Sequence, residues 1–283
     1  MGSDKRISME VTRNILKEVY RKRDPESHKG DFGRLLVVGG SMVYSGSPAL
    51  VALAAYRSGV DLVRLAAPER AANIAATFSP DLITYPLKGD HLEKNHIKTV
   101  RELEKISDAA VIGNGAGREK ETLETLRDII KGMKIPMVVD ADALHVIDKK
   151  VTRNKLLILT PHLGEFEVMT GERPETLSEK KESVRRYAKD FGAVILLKGS
   201  EDVISDGEEI ALNRTGSPYM TKGGTGDILA GICGSLLAQG VEPFRAACAA
   251  AWISGKAGDL VAKERGPSLM SSDMLDAIGR VVG

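Results

Sequence analysis

From Arg34 to Leu197, short runs of β-branched and leucine residues alternate with stretches in which apolar residues recur at helical spacing. The apolar runs Leu35 to Val38, Leu62 to Ala66, Ala110 to Gly113, Met137 to Asp140, Leu156 to Thr160 and Val194 to Leu197 predict strands. They are nearly all apolar, as strands covered on both faces must be. Between them Pro48 to Ser58, Glu69 to Thr77, Leu92 to Ile106, Lys120 to Lys131 and Ser178 to Phe191 predict amphipathic helices. Such alternation specifies an α/β fold, a mostly parallel sheet with helices on both faces and right-handed crossovers. After Lys198 the pattern changes. Val203 to Ser205 and Glu209 to Leu212 flank Asp206-Gly207-Glu208, a hairpin signal at a sheet edge. Helices then return as Ile228 to Gln239, Arg245 to Lys263 and Ser272 to Val282.

Composition narrows the picture. With 283 residues, 42% of them hydrophobic, the chain suffices for one large domain, and no linker divides it. A formal charge of +1 gives no general attraction to nucleic acid or an anionic membrane, so anion binding must come from a local site. Cys233 and Cys248 lie in apolar helical patterns and read as small buried hydrophobes in a reducing compartment. The segment from Met1 to Arg23 is charged throughout and has no signal-like apolar core, and no later run is long enough to span a bilayer. A cytoplasmic location is the expectation.

The strongest chemical signal is Thr221-Lys222-Gly223-Gly224-Thr225-Gly226-Asp227, a glycine-rich turn that runs directly into an apolar helix. Glycines admit close approach of a ligand, and the free N–H groups of a helix start favour phosphate. Asp227 stands where a transferring phosphoryl group would meet its acceptor hydroxyl; the bland alternative is that Thr225 or Asp227 caps the helix. In open α/β sheets ligands bind beyond the carboxyl ends of the strands, and polar residues gather there. Gly39 to Ser47 follows the first strand and Gly113 to Arg118 the third. Asp140-Ala141-Asp142 ends the fourth; on an extended segment its two carboxylates point to opposite faces, so Asp140 is expected near phosphate and Mg²⁺ while Asp142 caps the next helix. The fifth strand leads to Thr160-Pro161-His162, with His162 at the tip of a stiff turn and Glu165 in the first helical turn beyond. Lys198-Gly199-Ser200 ends the sixth, where a lysine reaches nucleotide phosphate or is solvated. No Walker A loop and no Gly-x-Ser-x-Gly elbow occurs, which argues against a P-loop NTPase and a serine hydrolase.

In this order, these motifs resemble the ribokinase-like superfamily, and within it the ADP- or ATP-dependent NAD(P)H-hydrate dehydratases. The resemblance runs from about His28 to Val282, through His28 to Gly33, Gly39-Gly40-Ser41, Gly113 to Gly117, Val139 to Leu144, Thr160 to Glu165, Leu197-Lys198-Gly199 and Gly223 to Asp227. It implies that the hydrated nicotinamide nucleotide contacts Ser47, Gly117, His162 and Asp227, with Asp227 catalytic. The adenine nucleotide is implied along Lys198, Gly199, Ser200, Glu201 and Asp202, and at Gly223, Gly224, Thr225 and Gly226. Ser47 replaces the family's usual alanine. Asp202 replaces its usual threonine, and a carboxylate there repels phosphate unless Mg²⁺ or a turned-away rotamer intervenes.

The reading is then a ribokinase-like domain over 28–283 behind a helical extension over 1–27, too short to be the epimerase domain often fused to this family. A separate epimerase and a homo-oligomer, a tetramer by resemblance, are the expected partners. The expected reaction restores NADH or NADPH from the S-hydrates NADHX and NADPHX with ADP or ATP as phosphoryl donor and Mg²⁺ as cofactor. The nearest alternative is a hydroxyethylthiazole or hydroxymethylpyrimidine kinase, since Gly-Thr-Gly-Asp alone does not separate them. A nucleotide-sensing module without catalysis is the alternative from another class.

Overall fold

The computed structural model describes residues 8–283. Its strands are β1 (Met9–Glu10), β2 (Arg34–Val38), β3 (Leu62–Pro68), β4 (Ile83–Leu87), β5 (Ala109–Ile112), β6 (Met137–Val139), β7 (Leu157–Leu159), β8 (Val194–Leu197), β9 (Asp202–Ser205) and β10 (Ile210–Asn213). They form one sheet in the order β1-β10-β9-β8-β7-β6-β5-β2-β3-β4, parallel except where β9 runs against β8 and β10. Alternate residues of each strand feed opposite cores, as a pleated strand requires: Leu35 and Val37 on one face, Leu36 and Val38 on the other.

On the first face lie α1 (Ile15–Val19), α2 (Gly46–Arg57) and α3 (Glu69–Ala75), and on the second α4 (Ile97–Glu104), α5 (Lys120–Gly132), α6 (Lys149–Thr152), α7 (Leu163–Thr170) and α8 (Leu177–Phe191). The last three helices, α9 (Thr225–Ala238), α10 (Pro243–Arg265) and α11 (Met274–Val282), return to the first face. Every residue of α9 from Ile228 to Ala238 is buried, which explains why its sequence is apolar all round. Both cysteines are free and buried, and burial pushes the Cys248 thiol up to about 12, so neither is poised to react.

Two strands escape the sequence pattern. Ile83–Leu87 carries Pro86 and only half-apolar character; it survives because it is the outer edge, pairing only with β3. Met9–Glu10 forms the other edge, parallel to β10, and Val11, Ile15 and Val19 enter the main core. Of the helical extension expected over 1–27, the described part is therefore a strand and a five-residue helix joined to the same core.

The chain visits β2, β3 and β4 in one direction and then crosses back to place β5 on the other side of β2. Adjacent strands thereby send their following loops in opposite directions, which opens a crevice at their carboxyl ends. Gly40 N–H donates to Asn114 O across that crevice at 2.9 Å.

Candidate active site

Asp227 lies in the first turn of α9, directly above the crevice. The N-cap of α9 is Gly224, whose φ of 95° is open to glycine and strained for other residues, and it makes no side-chain cap. Thr225 instead donates its hydroxyl back to Met220 O and Lys222 O, closing the glycine turn. The capping alternative for Asp227 and Thr225 thus fails, and the Asp227 carboxylate is left for the site. Ser47 Oγ donates to its Oδ1 at 2.6 Å and Asn114 Nδ2 to the same oxygen at 2.7 Å.

Asn114 also donates to Asp140 Oδ2 at 2.8 Å, so one buried amide ties two carboxylates together. Thr160 Oγ1 at 2.8 Å and Lys198 Nζ at 3.1 Å donate to Asp140 Oδ1. Glu165 Oε2 stands 3.7 Å from the same ammonium. Asn114, Asp140, Thr160 and Lys198 follow β5, β6, β7 and β8 in turn, and parallel pairing brings the strand ends side by side. Lys198 lies beneath Gly226: a Cβ at 226 would stand 3.3 Å from its Nζ, so glycine keeps the ammonium open to the turn above.

Charge follows from this crowding. Burial pushes the Asp227 pKa up to about 6, aided by Asp140 and opposed by the donations from Ser47 and Asn114. For Lys198 burial disfavours the charge, yet Asp140, Glu165 and Asp227 outweigh it and hold its pKa above the ordinary lysine value. Lys198 is therefore held charged, while the Asp227 carboxyl beside it has its pKa pushed up to about 6.

Two cavities flank the start of α9. One, of about 450 Å³, is lined by Lys198 to Ser200, Asp202, Thr215 to Pro218, Met220, Thr221, Thr225 and Gly226, and by Ala251, Ser254 and Gly255 of α10 among others. The second, of about 790 Å³, is lined by Tyr44 to Ser47, Gly115, Gly117, Arg118, Asp142 and Gly223, Gly224 and Asp227 among others. Gly226 faces the first and Asp227 the second, so consecutive residues address two compartments.

Of the expected site residues, Lys198, Gly199, Ser200, Asp202, Thr225 and Gly226 line the first cavity, and Ser47, Gly117 and Asp227 the second. Gly223 and Gly224, expected on the nucleotide side, line the second cavity instead, because the turn folds over α2 before it enters α9. Glu201 lines neither and is paired with Arg214. His162 also lines neither cavity. Its exposed ring caps α7, Nδ1 accepting from Gly164 N–H at 3.0 Å and Glu165 N–H at 3.2 Å, while its backbone bridges to Lys198.

Asp202 is engaged by its own neighbours. Its carboxylate accepts from Gly199 N–H and Asn213 Nδ2, and burial pushes its pKa up to about 6. At Ala141 the backbone turns with φ 52°, a conformation a non-glycine residue holds at some cost, so the alternation expected of Asp140 and Asp142 does not apply. Asp142 caps no helix. It accepts from Gly117 N–H at 2.9 Å and Arg118 Nε at 2.8 Å. Asp140 is 2% exposed and accepts three donors, two on Oδ1 and one on Oδ2, which leaves one acceptor site on Oδ2.

Sequence reasoning passed over Asn114 and left Glu165 as a helix-start charge. Asn114 sits mid-loop between two glycines with no pattern to mark it; only its spatial partners do. Glu165 was legible as part of the Thr160 to Glu165 motif, but its approach to Lys198 depends on β7 lying beside β8.

A family model described as NAD(P)H-hydrate dehydratase matches residues 35–280. The bifunctional NAD(P)H-hydrate repair enzyme of Pyrobaculum aerophilum is 45% identical over 263 residues, which is 92% of this chain and 52% of that one. The chain spans about half the length of several such curated relatives. By contrast, the ADP-dependent (S)-NAD(P)H-hydrate dehydratase of Nitrosopumilus maritimus is 39% identical over 96% of both chains. Among solved structures, the ADP/ATP-dependent NAD(P)H-hydrate dehydratase from Bacillus subtilis, co-crystallized with ATP and Mg²⁺, superposes with a TM-score of 0.85 at 28% identity over 97% of each chain. A hydroxyethylthiazole kinase from Pyrococcus horikoshii shares the fold at a TM-score of 0.65 and 18% identity. With the family model covering nearly the whole sheet and the site at its switch point, this chain belongs to the NAD(P)H-hydrate dehydratase family.

Proposed function

We propose that this protein dehydrates the S-hydrates of NADH and NADPH, using ADP or ATP as phosphoryl donor. The observation that carries the reading is the Asp227 carboxylate at the junction of two cavities, with the Lys198 ammonium under the adjoining Gly226. The first cavity takes the nucleotide, its phosphates reaching Lys198, Gly226 and the start of α9. The second takes the dihydronicotinamide end, with the 6-hydroxyl at Asp227 beside Ser47.

Asp227 accepts the hydroxyl proton, and the alkoxide oxygen forms a bond to the terminal phosphorus as the bond to the leaving ADP or AMP oxygen breaks. Lys198 and the helix start stabilise the charge on the transferring group, the main demand of phosphoryl transfer. The ring-nitrogen lone pair then expels the C6 phosphate, and loss of a C5 proton restores the C5–C6 double bond. Asp140 acts through its neighbours, holding Lys198 and Asn114 in place.

Among the described residues no three His, Cys, Asp or Glu side chains converge as a metal cage. Asp140 Oδ2 accepts from Asn114 alone and keeps one acceptor site, so it is the residue that would meet an Mg²⁺ carried in on the nucleotide's own phosphates. His162, by the family resemblance, meets the hydrated nucleotide from outside both cavities, and Glu165 lies beside Lys198. An NAD(P)HX epimerase is the functional partner, in line with relatives named bifunctional repair enzymes. A homo-oligomer and a cytoplasmic setting complete the proposal; no helix among the described residues is long and apolar enough to cross a membrane.

The decisive experiment supplies the protein with S-NADHX or S-NADPHX, Mg²⁺ and ADP or ATP. Recovery of reduced-nicotinamide absorbance with stoichiometric phosphate is the expected outcome. Efficient phosphorylation of a thiazole or pyrimidine alcohol, with the hydrates untouched, would overturn it in favour of the small-molecule kinase.

A further inference from the structure

The second cavity is lined by three carboxylates, Glu119, Asp142 and Asp227, and by a single cation, Arg118. Such a lining repels an anionic ligand everywhere except at that guanidinium and at the start of α2. Arg118 is held by its Nε, which donates to Asp142 Oδ1 at 2.8 Å, while Asp142 Oδ2 accepts Gly117 N–H at 2.9 Å. One carboxylate thus clamps both the glycine turn and the arginine that follows it. The two Nη groups make no hydrogen bond to the described residues, and the side chain is 59% exposed at the cavity rim. An arginine fixed at Nε with its Nη fork free is arranged for bidentate recognition of phosphate oxygens. Building on the reading of this cavity as the dinucleotide's, we propose that Arg118 binds the diphosphate that joins the two halves of the hydrated dinucleotide. It thereby makes the enzyme specific for dinucleotides over nicotinamide fragments.

Binding is measured by calorimetry with NADH, NADPH and ADP on wild type, Arg118→Gln and Arg118→Lys. Arg118→Gln is expected to weaken NADH and NADPH equally, by about tenfold or more, and to leave ADP unchanged, as loss of a charge-assisted pair does. Arg118→Lys should recover part of that loss by keeping the charge without the fork. Salt should weaken dinucleotide binding more steeply in wild type than in Arg118→Gln. Unchanged affinity in Arg118→Gln overturns the proposal, as does failure of wild type to bind either dinucleotide. A loss confined to NADPH would assign Arg118 to the 2′-phosphate instead, and an equal loss for ADP would make its role structural; both also overturn it. If wild type binds dinucleotides through Arg118 yet turns over no hydrate, the anion subsite stands and the dehydratase reading falls.

Discussion

The two cavities beside α9 are built by different means. The smaller is lined by glycines and small hydroxyl residues, among them Ser200, Gly216, Ser217, Thr225 and Gly226, and carries one carboxylate, Asp202. Its one fixed cation, Lys198, is held from below by Asp140 and Glu165. The larger is also rich in glycine but gathers three carboxylates and one arginine from loops distant in sequence. A site with a held cation, a single carboxylate and a helix start suits a ligand recognised by its phosphates. A site crowded with carboxylates suits a substrate whose hydroxyl must be found and deprotonated. Asp227 lines the second compartment, one residue from Gly226, which lines the first.

The sharpest test of that division is Asp227→Asn. Turnover should fall by roughly two to four orders of magnitude, the usual worth of a positioned base, with nucleotide affinity kept. The same change should raise stability. A carboxyl whose folded pKa is about 6 against an ordinary 3.8 binds more protons folded than unfolded between those values, so it costs stability as pH rises through that window. Asp227→Asn should therefore melt above wild type at pH 7 to 8, with the difference gone below about pH 3.8. An active variant of unchanged melting temperature would remove Asp227 from both roles.

Next in size is Lys198→Ala, which addresses the nucleotide compartment. It leaves Asp140 and Glu165 without their cation, a loss of about 3 kcal/mol for a largely buried ion pair. In the folded fraction KM for ADP should rise far more than KM for the hydrate; equal rises would mean that the two cavities are not separate half-sites.

The pH profile separates base from scaffold. In wild type kcat/KM should rise with pH to a plateau, half-maximal near pH 6, as Asp227 ionises. Asn114→Ala removes a donor that favours the carboxylate, so the midpoint should move to higher pH and turnover fall about tenfold. A midpoint that stays put would show that Asn114 only packs.

His162→Ala carries the smallest effect. Losing its cap on α7 should cost about 1 kcal/mol, and KM for the hydrate should rise a few-fold with KM for ADP unchanged. An effect on ADP alone would move this loop to the nucleotide side, in keeping with its backbone bridge to Lys198.

Much of this architecture was legible along the chain. Interior parallel strands announce themselves because both faces are buried, and helical spacing marks the layers that cover them. The glycine turn before Asp227 was equally plain, since φ 95° at Gly224 and the opening over Lys198 at Gly226 are demands that glycine answers locally. Edge strands β1 and β4 were not, because an edge is recognised by its one neighbour and not by its composition.

The layers, the carboxyl-end loops and the candidate base could be read along the chain. That Asn114 bridges Asp227 to Asp140, that Glu165 faces Lys198, that Gly199 and Asn213 engage Asp202 and that His162 caps a helix emerged with the folded chain. A periodic pattern reports which face of an element is buried. A hydrogen bond between loops 113 residues apart depends on which strands lie side by side, and that adjacency belongs to the sheet as a whole.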